Sequence, residues 1–240
     1  MSQRFVLFLD DGGVMNDNAL RGPQWQRLVG EYLAPRLGGD REAWAAANLI
    51  VVERQIARVV APSVHDDVIA WNREEDERWL REMCELVGVR APVDFEERLN
   101  LARETIAYVI PQVRSAFPEV VEAIRALSAQ GYTLHTASGG VSTDLHAYLG
   151  GMEVRNCFDR LYGPDLINTA KNGALYYERV LADSGLDPSQ AVFVDDSERN
   201  VAFAREAGAQ AVLVSRSGAG HAEFPVIRSL AELPFLLASL

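Results

Sequence analysis

Apolar residues fall along this chain in two patterns. Near the start, Phe5-Val6-Leu7-Phe8-Leu9 runs without a polar break and stops abruptly at Asp10-Asp11-Gly12-Gly13. That predicts a strand buried on both faces that ends in a tight loop. Similar short runs return after Phe117: Tyr132 to Ala137, stopping at Ser138-Gly139-Gly140; Ala191 to Val194, stopping at Asp195-Asp196-Ser197; and Ala211 to Val214, read as the final strand. A less regular stretch, Phe158 to Leu166, holds another short strand. Helices are expected between them: from Pro118 through Leu127 with Gly131 closing it, from Ser142 to Leu149, from Leu175 to Ser184, and one running to Ala207 with Gly208 closing it. A last helix, Ser229 to Leu237, is interrupted at Pro234. Alternation of this kind predicts an α/β fold, a doubly wound and largely parallel sheet with its first strand central.

The second pattern occupies residues 18–112. Apolar positions recur there at three- and four-residue spacing, as in Trp25-Leu28-Val29-Tyr32-Leu33, Trp79-Leu80-Met83-Leu86-Val87 and Leu99-Ala102-Ile106-Val109. Gly38-Gly39, Ala61-Pro62-Ser63 and the segment from Gly88 to Pro92 divide it into four or five helices. The run Arg73-Glu74-Glu75-Asp76-Glu77-Arg78 reads as a solvated helix face. The expected organisation is a core of residues 1–15 and 116–240 interrupted by a helical domain over residues 16–115.

Composition narrows the class of function. The 240 residues are 48% hydrophobic and 24% charged, enough for a substantial core. A net charge of -11 argues against a nucleic-acid partner or an anionic membrane, both bound mainly through clustered Lys and Arg. No run has the length of a membrane span, and the five apolar residues after Arg4 are too few for a signal-peptide core, so a cytoplasmic location is expected. Cys84 and Cys157 lack metal-ligand spacing and are read as two buried thiols. The four histidines form no ligand pair.

Candidate chemistry gathers where the strands stop. In open parallel sheets, ligands bind at the carboxyl edge, where Asp10, Ser138 and Asp195-Asp196 all fall. Each has an ordinary reading too: an Asp-Gly turn, a Ser-Gly-Gly turn, and a helix cap. Two adjacent carboxylates repel unless a cation neutralises them, and magnesium is the usual oxygen-ligated choice where phosphate is also bound. Among 23 basic residues Lys171 is the one lysine, placed just before a helix. It is either a chance survivor or a site that needs a compact ammonium instead of a planar guanidinium.

Taken together, Asp10, Ser138, Lys171 and Asp195-Asp196 stand in an order that resembles the haloacid dehalogenase-like hydrolase superfamily, with the helical insertion where that family carries its first-type cap. The resemblance covers Arg4 to Asp17 and Phe117 to Val214. It implies that Asp10 is a nucleophile forming an aspartyl-phosphate, and that Ser138 and the N–H of Gly139 hold phosphoryl oxygens while Lys171 offsets charge. It also implies a Mg2+ ion held by Asp10, the carbonyl of Gly12 and Asp196, with Asp195 and Asn200 in the same or the next shell.

The chain departs from the family at one place. Phosphatases of the family carry a second Asp two residues after the nucleophile to protonate the leaving alcohol, and Gly12 stands there. Asp11 should point to the other side of an extended backbone, and Asp17 is the nearest other carboxylate. Haloacid dehalogenases do without that acid and without metal, but Asp195-Asp196 is then costly beside a carboxylate nucleophile. Phosphonoacetaldehyde hydrolases need a lysine in the cap, and the insertion has none. The expectation is a magnesium-dependent phosphohydrolase with an atypical or missing general acid, acting on a small phosphorylated substrate. The alternative is a phosphate-binding relative with little turnover. Arg21, Trp25 and Arg58 in the insertion are candidates for setting the substrate.

Overall fold

In the computed structural model, which describes residues 5–60, 67–218 and 223–238, a six-stranded parallel sheet organises one of two units. This unit comprises Met1–Asn18 and Ser115–Leu240; the other is Ala19–Arg114. The strands are β1 (Val6–Leu9), β2 (Thr133–Ala137), β3 (Phe158–Tyr162), β4 (Ala191–Asp195), β5 (Gln210–Val214) and β6 (Val226–Ile227). Their spatial order is β3-β2-β1-β4-β5-β6, so β1 lies inside the sheet with β2 and β4 at its sides. Leu9 pairs with Thr136 on one side and with Val194 on the other.

Side-chain alternation between two covered faces explains why every residue of β1 is apolar. Leu7 and Leu9 point into a core with Val192, Val194, Val212 and the helix Val120–Ala129. Phe8 and Phe193 point to the opposite face, packing against Tyr176, Tyr177, Val180 and Val201. Helices cover both faces of the sheet, as a doubly wound fold requires. The helices are α1 (Asn18–Leu37), α2 (Arg41–Val60), α3 (Val68–Val87), α4 (Phe95–Val109), α5 (Val120–Ala129), α6 (Ser142–Gly151), α7 (Pro164–Ile167), α8 (Ala174–Ser184), α9 (Glu198–Glu206) and α10 (Leu233–Leu237).

Helices α1 to α4 build the second unit around Leu28, Leu33, Trp44, Val51, Leu80, Met83, Leu99 and Val109. Asp67 and Asp94 cap α3 and α4 through their side chains, and Gly88 closes α3. The charged run in α3 is not wholly solvated. Glu75 and Glu77 are buried, the first paired with Arg58 of α2 at 2.8 Å and the second with Arg98 of α4. Arginines from neighbouring helices offset the cost of burying these carboxylates.

Several details differ from the pattern-based reading. Val214 does not end the last strand, because β6 adds beside β5. Pro234 stands near the start of α10, following a 3-10 turn over Leu230–Glu232, and interrupts nothing. Of the two free cysteines, Cys84 is buried and Cys157 only half-buried. Arg4 and the break at Ala61-Pro62-Ser63 lie outside the described residues.

Candidate active site

Because β1 and β4 run parallel with Leu9 beside Val194, Asp10 and Asp195 emerge next to each other at the carboxyl edge. The Asp10 N–H also donates to the carbonyl of Val194 at 3.0 Å, extending the ladder to the last residue before the loop. Lys171 arrives from the segment between α7 and α8. Its Nζ lies 2.7 Å from Asp10 Oδ1, 2.6 Å from Asp195 Oδ2 and 2.7 Å from the carbonyl of Ala137 at the end of β2. An ammonium has three donors, and all three are taken here. Asp10, Asp195 and Asp196 each offer an oxygen within 4.8 Å of the others.

Burial sets the electrostatics. It pushes the Asp10 carboxyl up to about 7, a rise that Lys171 opposes and that Asp195 and Asp11 reinforce. Burial alone would lower the Lys171 ammonium, but the carboxylates of Asp10 and Asp195 hold it well above the usual lysine range. Lys171 is therefore a fixed cation. Asp196 is an exposed residue whose carboxyl end is tucked against Gly13; that desolvation and the charge of Asp195 raise it.

Asp195 is held from several sides. Its Oδ1 accepts the N–H of Ser197 at 2.9 Å and its carboxylate accepts the Asn200 side-chain amide at 3.2 and 3.3 Å. With Lys171 on its other oxygen, Asp195 ties the lysine to the first turn of α9. Ser138, beyond β2, is buried; its Oγ accepts the N–H of Gly140 at 3.1 Å. Its carbonyl accepts the Tyr176 hydroxyl at 3.0 Å, while Gly139 and Gly140 are exposed. The exposed backbone of Gly139 and Gly140 follows a well-supported turn.

The loop after Asp10 is shaped by groups that the chain order hides. The Asp11 carboxylate accepts the Asn16 amide at 2.7 Å, Ser115 Oγ donates to the same Asn16 side chain at 2.8 Å, and the Asp11 carbonyl accepts the N–H groups of Met15 and Asn16. Asp11 thus serves the loop. Gly13 has a φ of 78°, and a Cβ there would come within 1.9 Å of Asp196 Oδ2, so glycine admits the Asp196 carboxylate. Gly12 has ordinary backbone angles; a Cβ on it would lie 3.0 Å from both Nδ2 and Oδ1 of Asn18. Asp17, half-buried, donates its N–H to the carbonyl of Ser115 at 2.7 Å.

Arg216, beyond β5, was not among the residues singled out by pattern. Its Nη2 donates to the carbonyl of Val14 at 2.8 Å and its Nη1 to Glu119 at 2.5 Å, while the guanidinium stacks 3.4 Å over Phe117. A lone arginine after a strand carries no signal of such a role. Of the three candidates in the insertion, Arg58 pairs with Glu75 and Trp25 meets Trp79 edge-on at 6.5 Å. Arg21, Trp25 and Arg58 all belong to the Ala19–Arg114 unit.

The donor set suits a divalent ion. Three carboxylates face one ammonium, so with all three ionised, three negative charges less one positive leave two uncompensated. All candidate donors are hard oxygens, as Mg2+ prefers. Lys171 takes one oxygen each of Asp10 and Asp195, while Asp196 makes no contact with it at salt-bridge distance among the described residues.

A family profile for haloacid dehalogenase-like hydrolases matches residues 25–208. Among curated proteins, a phosphoglycolate phosphatase of Caulobacter vibrioides is 30% identical over 139 residues, covering 57% of each chain. The chain spans about half the length of the curated relatives it matches. Among solved structures, the HAD-hydrolase YfnB of Bacillus subtilis, bound to magnesium, superposes with a TM-score of 0.69 at 15% identity over 98% of this chain and 99% of that one. A 2-haloacid dehalogenase of Pseudomonas syringae gives 0.68 at 20% identity over 98% and 99%. At such identities the structural likenesses speak for the fold alone. Among the described residues no helix is long and apolar enough to cross a membrane.

Proposed function

Since the chain belongs to the haloacid dehalogenase-like hydrolases, we propose that it is a magnesium-dependent phosphohydrolase working through an aspartyl-phosphate on a small phosphorylated metabolite in the cytoplasm. The observation that carries this reading is the buried Lys171 ammonium between Asp10 and Asp195, with Asp196 alongside. Asp10 is the nucleophile. Its second oxygen, the carbonyl of Gly12 and Asp196 would hold Mg2+, which supplies charge neutralisation at the phosphoryl group when bound. Lys171 fixes Asp10 by its hydrogen bond and offsets negative charge. Ser138 and the N–H of Gly139 receive phosphoryl oxygens. Asp195 positions Lys171 and Asn200 positions Asp195. Residues 1–15 with 116–240 form the catalytic core in this reading, and 16–115 the cap domain.

Dehalogenation fits the charge balance less well, because Asp196 would face Asp10 with no cation of its own. Gly12 supports a second reading, a phosphate-binding relative with little turnover. A hydrolysis screen over aryl, acyl and alkyl phosphates, with and without Mg2+, decides between them. Magnesium-dependent release of phosphate from any class supports the enzyme. Phosphate or vanadate binding without turnover supports the second reading, and neither binding nor turnover overturns both.

A further inference from the structure

Gly12 leaves a gap beside the nucleophile that another part of the chain fills. The amide of Asn18, the first residue of α1, stands with Nδ2 and Oδ1 each 3.0 Å and Cγ 3.4 Å from where a Cβ on Gly12 would be. Asn18 is exposed, and it belongs to the same unit as Asp10 and Gly12. Lys171 and Asp11 beside Asp10 are committed: the three Lys171 donors go to Asp10, Asp195 and Ala137, and Asp11 is engaged by Asn16. Asn18 therefore brings a neutral donor and acceptor to the space next to Gly12. Since both ends of the amide are equally near that space, either can be presented to a ligand.

We infer that Asn18 assists departure of the leaving group by donating a hydrogen bond from its side-chain amide to the leaving oxygen, help that suffices for acyl, aryl and enol phosphates but not for alkyl phosphates, which need a proton. The inference rests on the phosphohydrolase reading and deepens it. In the step concerned, an Asp10 carboxylate oxygen bonds to phosphorus as the bond from phosphorus to the leaving oxygen breaks. The electron pair departs with that oxygen, as a phenolate, carboxylate or enolate, and no proton moves. An amide lowers the energy of the developing anion but has no proton to give at neutral pH. An alkoxide, far more basic, leaves slowly from such a site.

The test uses the full chain with Mg2+, a series of aryl phosphates of graded leaving-group acidity, an acyl phosphate and an alkyl phosphate. Asn18→Ala is expected to lose about three- to tenfold on the poorer aryl leaving groups and less on the best, steepening the dependence on leaving-group acidity. Asn18→Asp, which puts a carboxyl in the same place, is expected to gain at least about tenfold on the alkyl phosphate. Circular dichroism and Mg2+ titration verify that both variants keep their fold and metal site. An unchanged leaving-group dependence in Asn18→Ala together with no alkyl gain in Asn18→Asp, in an active enzyme, overturns this inference and leaves the phosphohydrolase reading standing. A wild type already fast on alkyl phosphates overturns it as well. A wild type that turns over no phosphate of any class overturns the reading and the inference together.

Discussion

Lys171 and Asp10 meet at 2.7 Å with both side chains almost wholly removed from water. Such a pair is costly to break from one side, because the remaining charge stays buried without compensation. Lys171→Met should lower the stability of the metal-free protein by about 3–5 kcal/mol in a denaturant titration. Lys171→Arg keeps the charge, but a planar fork cannot converge on Asp10, Asp195 and the Ala137 carbonyl together. Its turnover should fall by about 10²-fold, as expected for a misplaced nucleophile. Normal turnover in this variant would make the single lysine an accident of composition.

The charge of Asp196, a proposed metal ligand, is a burden when no metal is bound. Asp196→Asn should weaken Mg2+ binding in calorimetry while leaving the metal-free protein at least as stable as the parent, since the repulsion from Asp195 is gone. Gly13→Ala should weaken Mg2+ by a different route. Its methyl group would displace the Asp196 carboxylate, and the left-handed backbone would add roughly 1–2 kcal/mol of strain. Equal Mg2+ affinity in parent and Asp196→Asn would remove Asp196 from the ligand set.

The pH dependence of metal binding follows from Asp10. With its carboxyl raised to about 7, the metal-free protein holds a proton there below neutrality, and ligation must release it. Affinity for Mg2+ therefore rises with pH through this range and levels off above it. Between about pH 6 and about pH 8 the gain should be about tenfold, accompanied by proton release detectable as a buffer-dependent heat. A flat affinity profile would mean that Lys171 keeps Asp10 ionised throughout.

Arg216 grips the carbonyl of Val14 on the loop that carries Gly12 and Gly13, and its charge acts on Asp196. Arg216→Met should cost about 1–3 kcal/mol in stability and speed hydrogen exchange at residues 13–17. Exchange rates at those amides that match the parent would show that the loop holds its shape without the clamp.

Which of these residues could be foreseen depends on whether their role is written locally. Asp10, Ser138 and Asp195-Asp196 were legible because a buried strand followed by a small polar loop is a local pattern, and a parallel sheet brings such loops to one edge. Lys171 was legible through its rarity. Arg216 and Asn18 were not, since their contacts depend on how the loop after Asp10 curls, and nothing near them in the chain encodes that. Glu75 and Glu77 misled the charge-pattern reading for a related reason: whether a carboxylate meets water or an arginine is decided by the neighbouring helix. The two-residue β6 is too short for any period to show.

The position of β1 within the sheet bears on how the protein is made. Its two neighbours begin at Thr133 and Ala191, so this strand leaves the ribosome long before anything exists for it to pair with. The helices of residues 19–114 draw mostly on contacts between successive segments and can collapse while synthesis continues. Meanwhile Val6-Leu7-Phe8-Leu9 waits as an unpaired apolar strand, the kind of segment that nascent chains must keep from sticking to others. Asp10 is thus translated well before the residues that surround it and gains those surroundings only when β4 has been synthesised.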